Sequence, residues 1–201
     1  MRNDSQTKAP VFVLFHSVLG VRPAVRQLAD RLCEDGYTVH VPDLYDGATF
    51  DDYETAMRYV EEHGGFAMLM ERTMAVAADI PTDAVYAGFS NGGGSAMLLA
   101  LARPGARGAI MYHAGLPVKY LGFERWPSTV PVQVYYTVGD PFREAEAVDG
   151  FEADVLASGA PYEFFEYEGS GHLFTDSELP AEYDAAATEL LVARTNAFLR
   201  A

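Results

Sequence analysis

The chain has 201 residues, of which 49% are apolar, and a formal net charge of −15. That length and apolar content suit one domain, 1–201, with a full core, and exclude a disordered chain. The acidic balance argues against a nucleic-acid partner or an anionic membrane surface, since both require basic patches.

The opening Met1-Arg2-Asn3-Asp4-Ser5 has no hydrophobic signal segment and no apolar run approaches a membrane span, so a cytoplasmic protein is expected. Val11-Phe12-Val13-Leu14-Phe15 predicts a buried strand, and residues 22–35 an amphipathic helix ended by Gly36. Cys33, the one cysteine, falls in the helical repeat of Val25, Leu28, Ala29 and Leu32; it reads as a core residue and leaves no internal disulfide or thiolate metal cluster. A second strand follows at 37–41, stopped by Pro42, and residues 51–79 hold two helical segments broken at Gly64-Gly65. Further strands are expected at 84–88, 108–112, 132–138 and 162–167, with helices after Ser90, over 143–158 and over 180–200. Strands without polar alternation, separated by helices, predict a mostly parallel sheet of six or more strands covered on both faces, an α/β fold. Such sheets bind ligands at the carboxyl ends of their strands.

The chemistry concentrates at Gly88-Phe89-Ser90-Asn91-Gly92, between an apolar strand and an apolar helix. Gly-x-Ser-x-Gly in that setting is the form of a nucleophile elbow, whose sharp turn lifts the serine hydroxyl above the sheet. A serine hydroxyl needs a base within hydrogen-bond reach, itself oriented by a third group. Two downstream loops supply them in the order this turn uses. Asp140 follows the strand ending at Val138, and His172 lies in Gly169-Ser170-Gly171-His172 after the last strand. The competing readings are a turn or cap aspartate before Pro141 and a solvated loop histidine. The backbone N–H groups of Val18 and Asn91 are the expected oxyanion donors. His16, Ser17, His113 and Trp126 are candidate pocket-lining residues, whereas His40 and His63 read as structural. No His-x-His or His-Glu-x-x-His spacing supports a metal site.

With these residues placed, the chain resembles the dienelactone hydrolase family of α/β-hydrolases. The likeness rests on Val11 to Gly20, Gly36-Tyr37, Pro42-Asp43-Leu44-Tyr45, the elbow, Gly139-Asp140-Pro141-Phe142 and the run Tyr167 to Phe174. The resemblance implies an α/β-hydrolase fold and a hydrolase of a small ester or lactone, with Ser90, Asp140 and His172 as its triad and no nicotinamide, flavin or metal cofactor. The family's name-giving members carry cysteine at the elbow, held by a glutamate where Ser17 falls here, and clamp a substrate carboxylate with arginines. One of those arginines falls near Thr175-Asp176, so an anionic dienelactone is not the expected substrate. The segment 113–130 is too short for a cap domain; its Tyr120, Phe123 and Trp126 either form a small aromatic flap or pack against the sheet. An acyltransferase or perhydrolase using the same triad, and a low-turnover ligand-binding homologue, are the alternatives. The chain is expected to be a monomer or homodimer.

Overall fold

Apolar runs without alternation must be covered on both faces, and β1 (Val11–Phe15) is buried along its whole length. The structure is a computed structural model that describes residues 10–201, so Met1 to Ser5, read above as lacking a signal segment, lies outside the described residues. With β2 (Thr38–His40), β3 (Ala84–Phe89), β4 (Gly108–Tyr112), β5 (Val132–Thr137) and β6 (Tyr162–Tyr167), β1 forms one six-stranded sheet in the order β2-β1-β3-β4-β5-β6. Every pairing is parallel. The expected parallel sheet of at least six strands is thus present.

Parallel neighbours need crossover helices, which bury the sheet from both sides. The helices α1 (Pro23–Glu34) and α6 (Ala185–Leu199) cover one face, packing Leu28, Leu32 and Leu191 on Phe12 and Leu14. The other face is covered by α3 (Gly65–Val76), α4 (Asn91–Ala102) and α5 (Ala145–Ser158), which bring Leu69, Met97 and Phe151 onto Val13, Tyr86 and Val134. Between β2 and α3 lies α2 (Tyr53–Glu62), capped by the Asp52 carboxylate accepting from the Thr55 N–H at 2.8 Å. The chain reverses between α2 and α3 at the expected Gly64-Gly65, where Gly64 has φ 111°.

Three expectations are corrected. The closing helix starts at Ala185 rather than 180, because the Asp184 side chain accepts from the Ala187 N–H at 2.9 Å and defines its first turn. Cys33 is exposed: α1 buries Val25, Leu28, Ala29 and Leu32, and Cys33 lies one residue round from that stripe. Trp126 is buried with its indole N–H donating to the Val130 carbonyl at 2.8 Å and its ring edge-on to Phe151, so it belongs to the core and forms no flap. Phe123 packs on the same core and Tyr120 is exposed.

The register decides where chemistry can occur. Phe15 pairs with Gly88, Phe89 with Tyr112, Tyr112 with Tyr135, and Thr137 with Tyr167. The loops leaving β1, β3, β4, β5 and β6 therefore emerge along one edge of the sheet. At β3 the following helix returns so closely that a Cβ on Gly88 would run into the Gly92 carbonyl oxygen, and one on Gly92 into the His16 carbonyl oxygen. Both obstacles are backbone and cannot rotate away. Gly92→Ala is expected to destabilise the protein by about 3 kcal/mol or more, read as a lowered urea midpoint, with ester turnover lost alongside.

Candidate active site

The turn from β3 into α4 holds Ser90 at φ 52°, ψ −122°, in the left-handed half of backbone space that a side chain rarely adopts. The surroundings enforce this conformation. The Ser90 N–H donates to the Tyr112 carbonyl at 2.7 Å, and the Ser90 carbonyl accepts from the Gly93 N–H at 2.8 Å. The side chain then stands at the N-terminus of α4, where free N–H groups and the helix dipole favour negative charge.

The three residues expected from distant loops meet here. Ser90 Oγ lies 2.8 Å from Nε2 of His172, and Nδ1 of His172 lies 2.8 and 3.0 Å from the two Asp140 carboxylate oxygens. A carboxylate can only accept, so Nδ1 carries the proton and Nε2 is left to accept from the Ser90 hydroxyl. Asp140 and His172 are both buried. Asp140 is held by the Phe142 N–H, which donates to Oδ1 at 2.8 Å. The histidine loop is tied to the end of β5 by the Thr137 hydroxyl, which donates to the Gly171 carbonyl at 2.9 Å, and to the loop after β5 by the Gly139 N–H, which donates to the Gly169 carbonyl at 2.8 Å. On its far side the Glu182 carboxylate accepts from the Leu173 N–H at 2.7 Å and from the Tyr53 hydroxyl at 2.9 Å. Burial and the Glu182 charge push the Tyr53 phenol upward, so it remains a donor.

Ser90 and His172 open into a cleft of about 330 Å³ that Val18 and Asn91 also line. Neither the Val18 nor the Asn91 N–H donates to another group among the described residues. The walls are Tyr53 and Met57 of α2, Phe66 and Leu69 of α3, and Phe142 from the loop after β5. The rings of Phe142 and Tyr53 flank the His172 imidazole at 4.8 and 6.0 Å.

Of the other proposed lining residues, none reaches the cleft. His16 is buried, its Nδ1 donating to the Ser17 carbonyl at 2.7 Å and its Nε2 accepting from the Leu44 N–H at 3.0 Å; it fastens the loop after β1 to the segment after β2. Ser17 is buried as well and accepts from the Leu19 N–H within its own turn. His113, at φ 59°, sits behind His172 with ring centres 5.5 Å apart and meets Phe174 edge-on. Both its ring nitrogens are buried without a partner among the described residues. Trp126 lies in the core, as described above. The acidic residue after the histidine also points elsewhere: Asp176 is buried against Arg22, 2.6 Å from its Nε. His40 is half-buried on β2, and His63 is exposed and stacks on Tyr59 at 3.9 Å.

The cleft walls themselves were missed by sequence reasoning. Tyr53, Met57, Val60 and Glu61 recur on one face of α2 at helical spacing, and that stripe was the available signal.

Burial lowers the pKa of His16, and burial together with the neighbouring His172 holds His113 well below the ordinary histidine value. Both are neutral in the fold and regain a pKa near 6.5 when unfolded. The unfolded chain therefore binds more protons below about pH 6.5, and stability falls with pH there. His113→Phe keeps the ring and removes the titration. Relative to wild type, the variant is expected to gain about 1.4 kcal/mol per pH unit below about pH 6.5, measured by urea unfolding; an unchanged difference refutes the neutral assignment.

A carboxymethylenebutenolidase of Rhodococcus opacus is 29% identical over 175 residues, 81% of this chain and 69% of that protein. A dienelactone hydrolase-like promiscuous phosphotriesterase from metagenomic libraries shares the fold with a TM-score of 0.77 at 20% identity, over 97% of this chain and 88% of that one. An esterase of Thermogutta terrifontis, solved with propionate, superposes with a TM-score of 0.62 at 16% identity, over 96% and 83% of the two chains. The dienelactone hydrolase family model matches residues 1–201. A parallel six-stranded α/β-hydrolase sheet, an elbow serine and a family match over every position make this chain a member of the dienelactone hydrolase family, a hydrolase acting on ester bonds.

Proposed function

We propose that the protein hydrolyses a small carboxylic ester or lactone through an acyl-enzyme on Ser90, with water as the acyl acceptor. The observation that carries this reading is the continuous hydrogen-bonded line from Asp140 through His172 to the Ser90 hydroxyl, opening on a cleft.

In the first half-reaction Ser90 Oγ attacks the ester carbonyl carbon while its proton passes to Nε2 of His172. Asp140 holds the Nδ1 tautomer and stabilises the imidazolium that forms. The carbonyl oxygen becomes an oxyanion between the Val18 and Asn91 N–H groups, each donor contributing about 3 kcal/mol in the transition state. His172 returns its proton to the departing alkoxide, leaving alcohol and acyl-Ser90. Water then repeats the sequence: His172 takes its proton, the hydroxyl adds to the acyl carbon, and Ser90 leaves with the proton restored.

A fluorophosphonate should label Ser90 and abolish turnover of p-nitrophenyl acetate. Alkylation of the exposed Cys33 under native conditions should leave that turnover intact. Turnover that survives Ser90 labelling, or a label on another residue, refutes the acyl-serine reading.

A further inference from the structure

We propose that Glu61 makes the cleft selective for uncharged and cationic esters and against esters whose acyl or alcohol group carries a carboxylate. This rests on the ester-hydrolase reading above and extends it to the class of substrate.

The walls contributed by α2, α3 and the loop after β5 are aliphatic or aromatic: Met57, Val60, Phe66, Leu69 and Phe142. Such walls favour apolar groups and supply no counter-ion for a substrate carboxylate. Apart from the His172 ring and the Tyr53 phenol, Glu61 is the one ionisable side chain lining the cleft, and no lysine or arginine lines it. Glu61 occupies the last turn of α2, and its carboxylate pairs with no lysine, arginine or histidine among the described residues. No cation therefore balances it on the wall that Met57, Val60, Phe66 and Leu69 otherwise make apolar.

The other acids near the site do not act this way. Asp140 is committed to His172, and Asp176 and Glu182 are turned to Arg22 and to the Tyr53 hydroxyl. The net charge of −15 adds a general repulsion of anions, but salt screens it beyond about 10 Å at 0.1 M. The Glu61 carboxylate lines the cleft itself, so a substrate group lying along the α2–α3 wall meets it at shorter range than it meets the surface charges.

The test compares kcat/KM for esters of similar size that differ in charge. One set carries a trimethylammonium, a tert-butyl or a carboxylate group on the acyl chain, and the second carries the same groups on the alcohol. Wild type should prefer the cationic over the anionic member by about fivefold or more in at least one set. Glu61→Lys should shift that ratio by about tenfold toward the anion, and Glu61→Gln should give an intermediate value. Glu62→Lys changes the net charge equally outside the cleft, and should shift the ratio by less than about twofold at 0.1 M salt. Glu61 is exposed, so neither substitution at that position threatens folding. A ratio near one in both sets, or equal shifts from Glu61→Lys and Glu62→Lys, overturns the proposal while leaving ester hydrolysis standing. Failure of wild type to turn over even the neutral esters removes the hydrolase reading and this proposal with it.

Discussion

Ser90→Ala and His172→Ala are each expected to lower kcat for a simple ester by about 10⁶-fold, with the double variant little worse than either single one. The near-identity follows from geometry: Ser90 Oγ and His172 Nε2, 2.8 Å apart, form one proton-transfer unit, and removing either end disables the whole. Asp140→Asn should cost about 10⁴-fold. An amide at that position keeps the size but presents a donor to Nδ1, which favours the tautomer with its proton on Nε2, the wrong side for a base. The Phe142 N–H still finds an oxygen there, so the loop should hold its shape. Burst kinetics with a p-nitrophenyl ester separate the cases: wild type should show an acylation burst, and Ser90→Ala none. A Ser90→Ala variant that keeps even a hundredth of wild-type kcat ends the proposed mechanism.

The second large effect lies outside the cleft. Arg22, at the start of α1, joins three parts of the active edge. Its Nε donates to Asp176 on the histidine loop at 2.6 Å, and its Nη1 donates to the Phe50 carbonyl at 2.8 Å and to Asp51 at 3.0 Å. Arg22 itself follows the loop that carries Val18. The Arg22 and Asp176 side chains are only 5% and 6% exposed, whereas the Asp51 carboxylate is out in solvent. Breaking a buried pair leaves an uncompensated charge, so Arg22→Met should cost about 3–5 kcal/mol. Asp176→Ala should cost less, because Arg22 keeps Asp51 and Glu178 as partners. Replacing both with apolar residues, Arg22→Met with Asp176→Leu, should recover most of the loss. Urea denaturation of the three variants decides it; single-variant losses below about 0.5 kcal/mol would show that the pair is not the clasp described here.

Much of this site is legible in the sequence. Val11 to Phe15 and Ala84 to Phe89 are apolar without alternation, and such runs are satisfied only as interior strands of a covered parallel sheet. The elbow is local at Gly88, where a Cβ would meet the Gly92 and Gly93 backbone a few residues on, whereas Gly92 is demanded by the Phe15 and His16 backbone at the end of β1. Asp140 and His172 could be named because each follows a strand directly, and in a parallel sheet that places both on the same edge. The walls of the cleft were not legible. Met57, Phe66 and Phe142 are exposed apolar residues on three separate segments, and only the docking of α2 and α3 beside α4 makes them one surface.

The misplacements have the same origin. His16, Ser17 and His113 follow strands on the correct edge, yet each turns inward: His16 is fastened to Ser17 and to Leu44, Ser17 to Leu19 in its own turn, and His113 is enclosed by aromatic rings. Cys33 had the spacing of a core residue but missed the buried stripe of α1 by a single position. Periodicity and turn chemistry act over a few residues, and they sufficed to specify the strands and the elbow. Which side of a residue meets another element depends on packing between segments far apart in the chain, 154 positions for Arg22 and Asp176, and that choice is made only when the layers close.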